Sequence, residues 1–498
     1  MAPLKIISII VGVLGFFIAG CNDPADLHKS IAIDEPVAIT PDFDGATIPP
    51  NIAPLNFTVQ KSGTRFAVEF RGPDQAVVRA FSSRPLIRLP LDAWKTLLAG
   101  HAGQLLTVTV SVKDKGHWRT YRSRTVSIAR EPIDSYLTFR QLKPAYNWWS
   151  QMVIYQRDLG TFRRTEIISG RDAGCVNCHS FLNNRPENFL ISIRNPQQGN
   201  STIISEGGAV AKIDATFGYL SWHPSGDFVT YTEMKPRQFF HTAREEIRDV
   251  IDIKEHLMNY DLKRRIAISL PSFTGPHALE TYPAWSPDGG TLFFCACQAP
   301  WDSLAEKIPP EFGGLKYSLC KVSFDPASGL WGQAQTVVSS QQTGRSAAMP
   351  RISPDGKFVL FCQSDYGCFP AFQKSSDLYL LETKSGACQK LSINSDESES
   401  WHCWSSNSRW IAFSSKRHDG VFTRIYFSYI DSSGNAHTPF VLPQEDPELF
   451  DSFLEATSVP ELTTGPIAPL NESVPVACRA NGIAPEAGHA APDTATWR

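Results

Sequence analysis

Beyond residue 21 this 498-residue chain has no apolar run long enough to cross a bilayer. It has no basic block, and its formal net charge of −3 offers nothing to a polyanion, which argues against nucleic acid as a partner. No Gly-x-Ser-x-Gly occurs, so the nucleophile elbow of the α/β-hydrolases is missing. A second Cys-x-x-Cys-His is missing too, which removes the di-haem peroxidases. Methionine is scarce at five residues, so a thioether ligand to any metal would have few origins. What the chain has in quantity is turn and strand material: 33 Gly, 36 Pro and 11% aromatics fit a strand-and-turn protein better than a helical one.

The first residues, MAPLKIISIIVGVLGFFIAGC, carry one early lysine, an apolar core from Ile6 to Ile18, and Ala19-Gly20 directly before Cys21. This is the three-part design of a secretory signal. The Ile-Ala-Gly-Cys ending resembles the bacterial lipobox, in which the cysteine is lipidated and becomes the new N-terminus; a plain signal peptide with an incidental Cys21 is the alternative. The expectation is a mature chain held at a membrane surface by acyl chains on Cys21, facing the periplasm of a bacterial envelope. Asn22 and Asp23 point to the inner membrane only by analogy with a sorting rule.

Of the eleven cysteines, Cys175 and Cys178 stand in GCVNCHSF with His179 beside them. Covalent haem attachment needs two thiols to meet two vinyl groups and an adjacent imidazole to ligate iron, and this motif supplies that set on the exported side. The expected cofactor is one haem c, with thioethers from Cys175 and Cys178 and His179 as the proximal iron ligand. A disulfide loop with a chance histidine is the alternative. Disulfides among the remaining cysteines are permitted in this compartment, but spacing does not choose a pairing, and no histidine falls at zinc-finger spacing.

The strongest organising signal is a repeat. YLSWHPSGDFVTYTEM from Tyr219, YPAWSPDGGTLFFCAC from Tyr282, MPRISPDGKFVLFCQS from Met349 and WHCWSSNSRWIAFSSK from Trp401 align as strand, tight turn, strand. Their pre-turn residues Trp222, Trp285, Ile352 and Trp404 stand 63, 67 and 52 residues apart, room for four strands and their loops, the layout of a propeller blade. A β-sandwich also has short strands and turns but has no reason to repeat one turn motif. Ser180-Phe181 aligns with Ser221-Trp222, so His179 sits just before the first strand of a blade, near the axis.

The Pro-x-Trp-Ser-Pro-Asp-Gly units resemble the blades of the TolB-like propeller family. The longer order of MVIYQRDL, GCVNCHSF, YLSWHP, FFHT, DGVFTRIYFSYID and FVLPQEDPELF is similar to bacterial TolB-like lipoproteins carrying a single Cys-x-x-Cys-His. The resemblance implies architecture more than activity. The expected fold is all-β: a signal peptide over 1–21, a linker over 22–35, and a small immunoglobulin-like β-sandwich over 36–130. A six-bladed TolB-like propeller over 131–471 and a disordered tail over 472–498 follow.

The sixth iron position is open. His241 in FFHT is the first candidate, because its loop belongs to the blade adjoining the motif; Met234 shares that loop, Met349 and His402 stand at blade starts, and His418 lies in another loop. His223 replaces Ser in a Ser-Pro-Asp-Gly turn and reads as a turn residue, and SDESES over 395–400 reads as a solvated loop. Together these features favour a lipid-anchored electron carrier over a catalyst, with redox or other envelope proteins as partners. The competing reading is an interaction scaffold in which haem is structural or sensory.

Overall fold

The four aligned turns close in the same way. In each, the fourth residue donates its N–H back to the first: Gly226 to His223 (2.9 Å), Gly289 to Ser286 (2.9 Å), Gly356 to Ser353 (2.8 Å) and Ser408 to Ser405 (2.9 Å). That fourth residue takes φ between 63° and 78°, the left-handed region that glycine enters without steric cost. Each turn hands the chain to an apolar strand, and further strands follow outward. The computed structural model describes residues 26–143, 151–195, 199–240, 248–301, 310–470 and 486–487.

Among the described residues after 135 the strands form six meanders, five of them laid down in chain order from the first strand. The first strands are Cys175–Phe181, Leu220–Trp222, Ala278–Trp285, Ser346–Ile352 and Glu399–Trp404, and the sixth, Ala456–Thr463, comes from the C-terminal side. Ala456–Thr463 pairs antiparallel with Tyr136–Leu142, which continues outward to Val153–Asp158 and Arg164–Ser169. One sheet is thus stitched from both ends of the segment. Each first strand packs on the next, and Ala456–Thr463 packs on Cys175–Phe181, so the neighbours form a closed cycle. This is an all-β, propeller-like fold. Tryptophans just before the turns tie adjacent sheets: Trp285 Nε1 donates to Thr230 Oγ1 (2.9 Å), and Trp404 Nε1 donates to the Arg351 carbonyl (3.1 Å).

The N-terminal module has a larger sheet, including Arg65–Arg71, Val77–Ser82, Leu105–Asp114 and Arg124–Ile128, facing a three-stranded one of Ile39–Thr40, Phe57–Val59 and Leu86–Ile87. Two features depart from the sequence expectation. Ile31–Ile33, in the stretch read as a linker, pairs parallel with His117–Tyr121 as an edge strand. A ten-residue helix, Leu91–Gly100, interrupts the strands; Trp94, Leu97 and Leu98 lie on one face at helical spacing and are buried. It ends where the buried His101 lies between the Leu97 carbonyl (2.7 Å from Nδ1) and Asp74 (2.8 Å from Nε2). The module's core is not its own alone: Phe57, Phe70 and Trp94 belong to one apolar cluster with Trp410, Phe427 and Phe440 of the last sheet. Trp410 Nε1 also donates to the Glu131 carbonyl at the junction (3.0 Å).

Among the described residues no helix is long and apolar enough to cross a membrane. Cys21 and the signal segment lie outside the described residues, as does the tail from 472 apart from Glu486–Ala487, which pairs parallel with Ile266–Ser269.

Candidate functional site

A β-strand alternates its side chains between two faces, so a run of inner strands should present every second residue to the axis. Here the alternation is broken at one height. The pairing of each first strand with its neighbour shifts register between Val176 and His179, between Thr281 and Ala284, between Ala348 and Arg351, and between Ser400 and His402. Ala456–Thr463 shifts likewise opposite Thr138 and Arg140. These are β-bulges, which bend a strand and re-aim its side chains. Tyr282 (φ 52°), Met349 (φ 57°), Trp401 (φ 39°) and Val459 (φ 52°) take left-handed backbone at the bulges, a conformation that costs a non-glycine residue about 1–3 kcal/mol. Three of them precede proline, which by itself favours extended backbone, so the strain is compounded.

The bulges surround a small central cavity. Its wall is a ring of six consecutive pairs, one from each sheet: Cys178-His179, Tyr219-Leu220, Tyr282-Pro283, Met349-Pro350, Trp401-His402 and Val459-Pro460. The second half of the Cys-x-x-Cys-His motif therefore occupies the position that Tyr-Pro, Met-Pro and Val-Pro fill in other sheets. Arg351 and Glu461, paired at 2.9 Å, lie between this cavity and a wider chamber on the turn side and line both.

His179 is 3% exposed, and neither ring nitrogen has a hydrogen-bond partner. The backbone of Thr138 and Val459 approaches the ring without reaching hydrogen-bond geometry. Burial, with the positive field of Arg140 adding to it, pulls its pKa down to about 3, so the imidazole is neutral and its lone pair is uncommitted. Cys175 and Cys178 are half-buried free thiols. Cys178 faces the cavity, while Cys175 Sγ packs against Met152 Sδ at 3.7 Å, in the direction of the neighbouring sheet. Burial raises the Cys175 thiol pKa, with Arg194 and Arg140 opposing. Asn177, between the two cysteines, accepts a hydrogen bond from Arg140 of Tyr136–Leu142, which fixes the loop of the bulge. An orphaned neutral imidazole flanked by two free thiols is the donor set of a covalently held haem, and of the three Cys178 and His179 face the cavity.

The other candidates divide. Met349 and His402 line the same cavity as His179. Both nitrogens of His402 are engaged, however: Nε2 lies 3.1 Å from the Leu360 carbonyl and Nδ1 3.7 Å from Cys362 Sγ, so the ring donates to the first and accepts from the second. Met234 packs against Gly218 at the cavity margin. His418 is away from the cavity, 3.8 Å from Asp451. His223 packs inside its turn, against Ser225 (2.7 Å) and the Gly289 carbonyl (3.3 Å). His241 lies outside the described residues. Glu399 of SDESES is fully buried and bonded to Arg417, Ser395 and Ser415, so that segment is not simply a solvated loop.

Sequence reasoning missed the ring as a ring and missed its sixth member. The signal was present: Tyr282-Pro-Ala-Trp, Met349-Pro-Arg-Ile and Val459-Pro-Glu-Leu share a pattern, but Val459 has no Ser-Pro-Asp-Gly turn after it. The fold and site define the class: an all-β, propeller-like protein with a thiol and an uncommitted imidazole at its axis. No family model matches the chain, and no curated protein matches it. Among solved structures it is similar to β-propeller-like proteins. Oligogalacturonate lyase from Vibrio parahaemolyticus is 10% identical over 75% of this chain and 100% of that one, with a TM-score of 0.33. Prolyl oligopeptidase B from Galerina marginata is 11% identical over 61% of this chain and 44% of that one, with a TM-score of 0.35. Likeness at this level carries no functional argument, and the propeller-like description rests on the strand order above.

Proposed function

We propose that this chain is a lipid-anchored bacterial envelope protein, a six-bladed TolB-like propeller behind an immunoglobulin-like module, which carries one covalent haem c and passes single electrons. The observation that carries the reading is the coincidence of motif and ring: Cys178 and His179 line the axial cavity, and the His179 imidazole there is neutral with both nitrogens uncommitted. Cys175 and Cys178 would hold the haem by thioethers and His179 would ligate its iron. When bound, the group supplies a one-electron ferric/ferrous couple. The chain's own part is to keep His179 unprotonated by burial and to hold Asn177 and the bulge in place through Arg140. For the sixth position His241 remains a candidate from its neighbouring loop. Met349 joins it on equal terms because it shares the cavity, and His402 recedes because its nitrogens are engaged.

The test is a pyridine haemochrome spectrum of protein expressed in the periplasm with haem-maturation machinery, beside a Cys175→Ala, Cys178→Ala control. One covalent haem per wild-type chain and none in the control is the expected result. Wild-type protein that folds and carries no haem would end the proposal. A high-spin ferric spectrum would exclude every protein ligand at the sixth position.

A further inference from the structure

A second cluster, none of whose residues belongs to the haem motif, lies beside Tyr219 and Tyr282. The strand Arg248–Asp261 carries Asp252 and Glu255, three residues apart, which a regular strand would send to opposite faces. Its pairing shifts register opposite Met234 and Pro236, and this bulge turns both carboxylates inward. Cys368 arrives from the fourth sheet, in the loop after Phe358–Ser364. All three are buried, at 0%, 3% and 1% exposure, and one ligand atom from each lies within 4.8 Å of the others.

The chemistry of the cluster is unbalanced. Asp252 Oδ2 accepts from Cys368 Sγ (3.6 Å) and Glu255 Oε2 accepts from Tyr317 Oη (2.8 Å), but Asp252 Oδ1 and Glu255 Oε1 have no partner. Two ionised carboxylates are acceptors only, and facing each other in a dry interior they need either a shared proton or a cation. Burial pushes Asp252 up to about 6 and, with the Asp252 charge beside it, raises Glu255 well above the usual carboxylate range; the attraction of Arg194 is a lesser effect on Asp252. A shared proton would bridge the two carboxylates and leave the Cys368 thiol as a donor to Asp252. A thiolate with two carboxylate oxygens is instead a donor set for a borderline divalent ion, and the 4.8 Å spread needs only small side-chain rotations to reach the edge of a zinc tetrahedron, roughly 3.5 Å from zinc–ligand bonds of about 2.0–2.3 Å.

We propose that Asp252, Glu255 and Cys368 form a buried site for one divalent cation of the zinc class, with Tyr317 orienting Glu255. Binding forms three metal–ligand bonds and releases to solvent the Cys368 thiol proton together with any proton the carboxylates share. The site is independent of the haem reading, since none of its residues belongs to the motif.

The test uses the full chain, equilibrated with Zn²⁺ and desalted, with zinc counted by mass spectrometry separately from any iron. The expected result is one zinc per chain, falling at least tenfold in Asp252→Asn and in Cys368→Ser. X-ray absorption at the zinc edge of the wild-type protein should show one sulfur at about 2.3 Å with oxygens at about 2.0–2.2 Å, a readout that does not depend on either variant folding. Absence of zinc from the wild-type protein, full retention by a folded Cys368→Ser variant, or a zinc shell without sulfur would each overturn the assignment.

Discussion

The buried histidine His402 allows a prediction with a worked magnitude. Its ring is 3% exposed and bonded at both nitrogens, and burial, reinforced by the Arg351 charge, holds its pKa down at about 3. In the unfolded chain a histidine titrates near 6.5. The folded pKa is therefore depressed, the unfolded state takes up the proton first, and this residue's contribution is fully present above pH 6.5 and lost as pH falls toward 3. The slope is about 1.4 kcal/mol per pH unit, so between pH 7.5 and pH 5 His402 alone withdraws about 2 kcal/mol. The perturbation is His402→Gln, which removes the titration but keeps a polar side chain in the ring. At pH 7.5 the variant should be the less stable protein by about 1–2 kcal/mol, from imperfect replacement of two hydrogen bonds. At pH 5 that deficit should vanish or reverse, because the variant escapes the acid penalty. Urea unfolding of both proteins at the two pH values measures it, and the comparison cancels other titrating groups, including Asp252 and Glu255, whose raised pKa values act in the opposite sense. A stability difference that stays constant from pH 7.5 to pH 5 would refute the reasoning.

Two further outcomes are expected. Gly174→Ala should lower stability by about 1–3 kcal/mol from backbone strain. Gly174 holds φ 106° just before Cys175, and an added Cβ would meet the Arg194 carbonyl oxygen at 2.8 Å; an unchanged thermal midpoint would show that the segment accommodates it. Trp410→Ala should cost about 3–5 kcal/mol and loosen the N-terminal module from the last sheet. Limited proteolysis should then cut first around residues 131–135, and loss of stability without such cleavage would mean that the junction does not depend on Trp410.

What could be read from the sequence was whatever local chemistry enforces. Ser-Pro-Asp-Gly fixes a turn wherever it occurs, so the hairpins after Trp222, Trp285 and Ile352 were readable, as was the alternating pattern of the N-terminal strands. The helix Leu91–Gly100 is encoded in the helical spacing of Trp94, Leu97 and Leu98, but it directly follows a strand-like apolar run, so the change of period falls within a few residues. The bulges at Val176–His179 and Ser400–His402 could not be read, because an inserted residue in a strand leaves no compositional mark unless proline follows it, as it does after Tyr282, Met349 and Val459. Nor could the cluster of Asp252, Glu255 and Cys368, whose members lie on strands and loops brought together only by closing the cycle of sheets. The motif at Cys175–His179 was plain, but its equivalence to Tyr282-Pro283 and Met349-Pro350 emerges only around the axis.

The apolar cluster that the N-terminal module shares with Trp410, Phe427 and Phe440 sets an order of events during synthesis. The module is made before the wall that covers it. About 300 residues separate the two, which at ordinary elongation rates of about 5–20 residues per second is an interval of roughly 15–60 s. Throughout it the faces around Phe57, Phe70 and Trp94 lack their cover, just where an immature chain meets its neighbours. Such a nascent chain is a natural client for a holdase chaperone, and its yield should be governed by how long that face waits rather than by the stability of the finished ring.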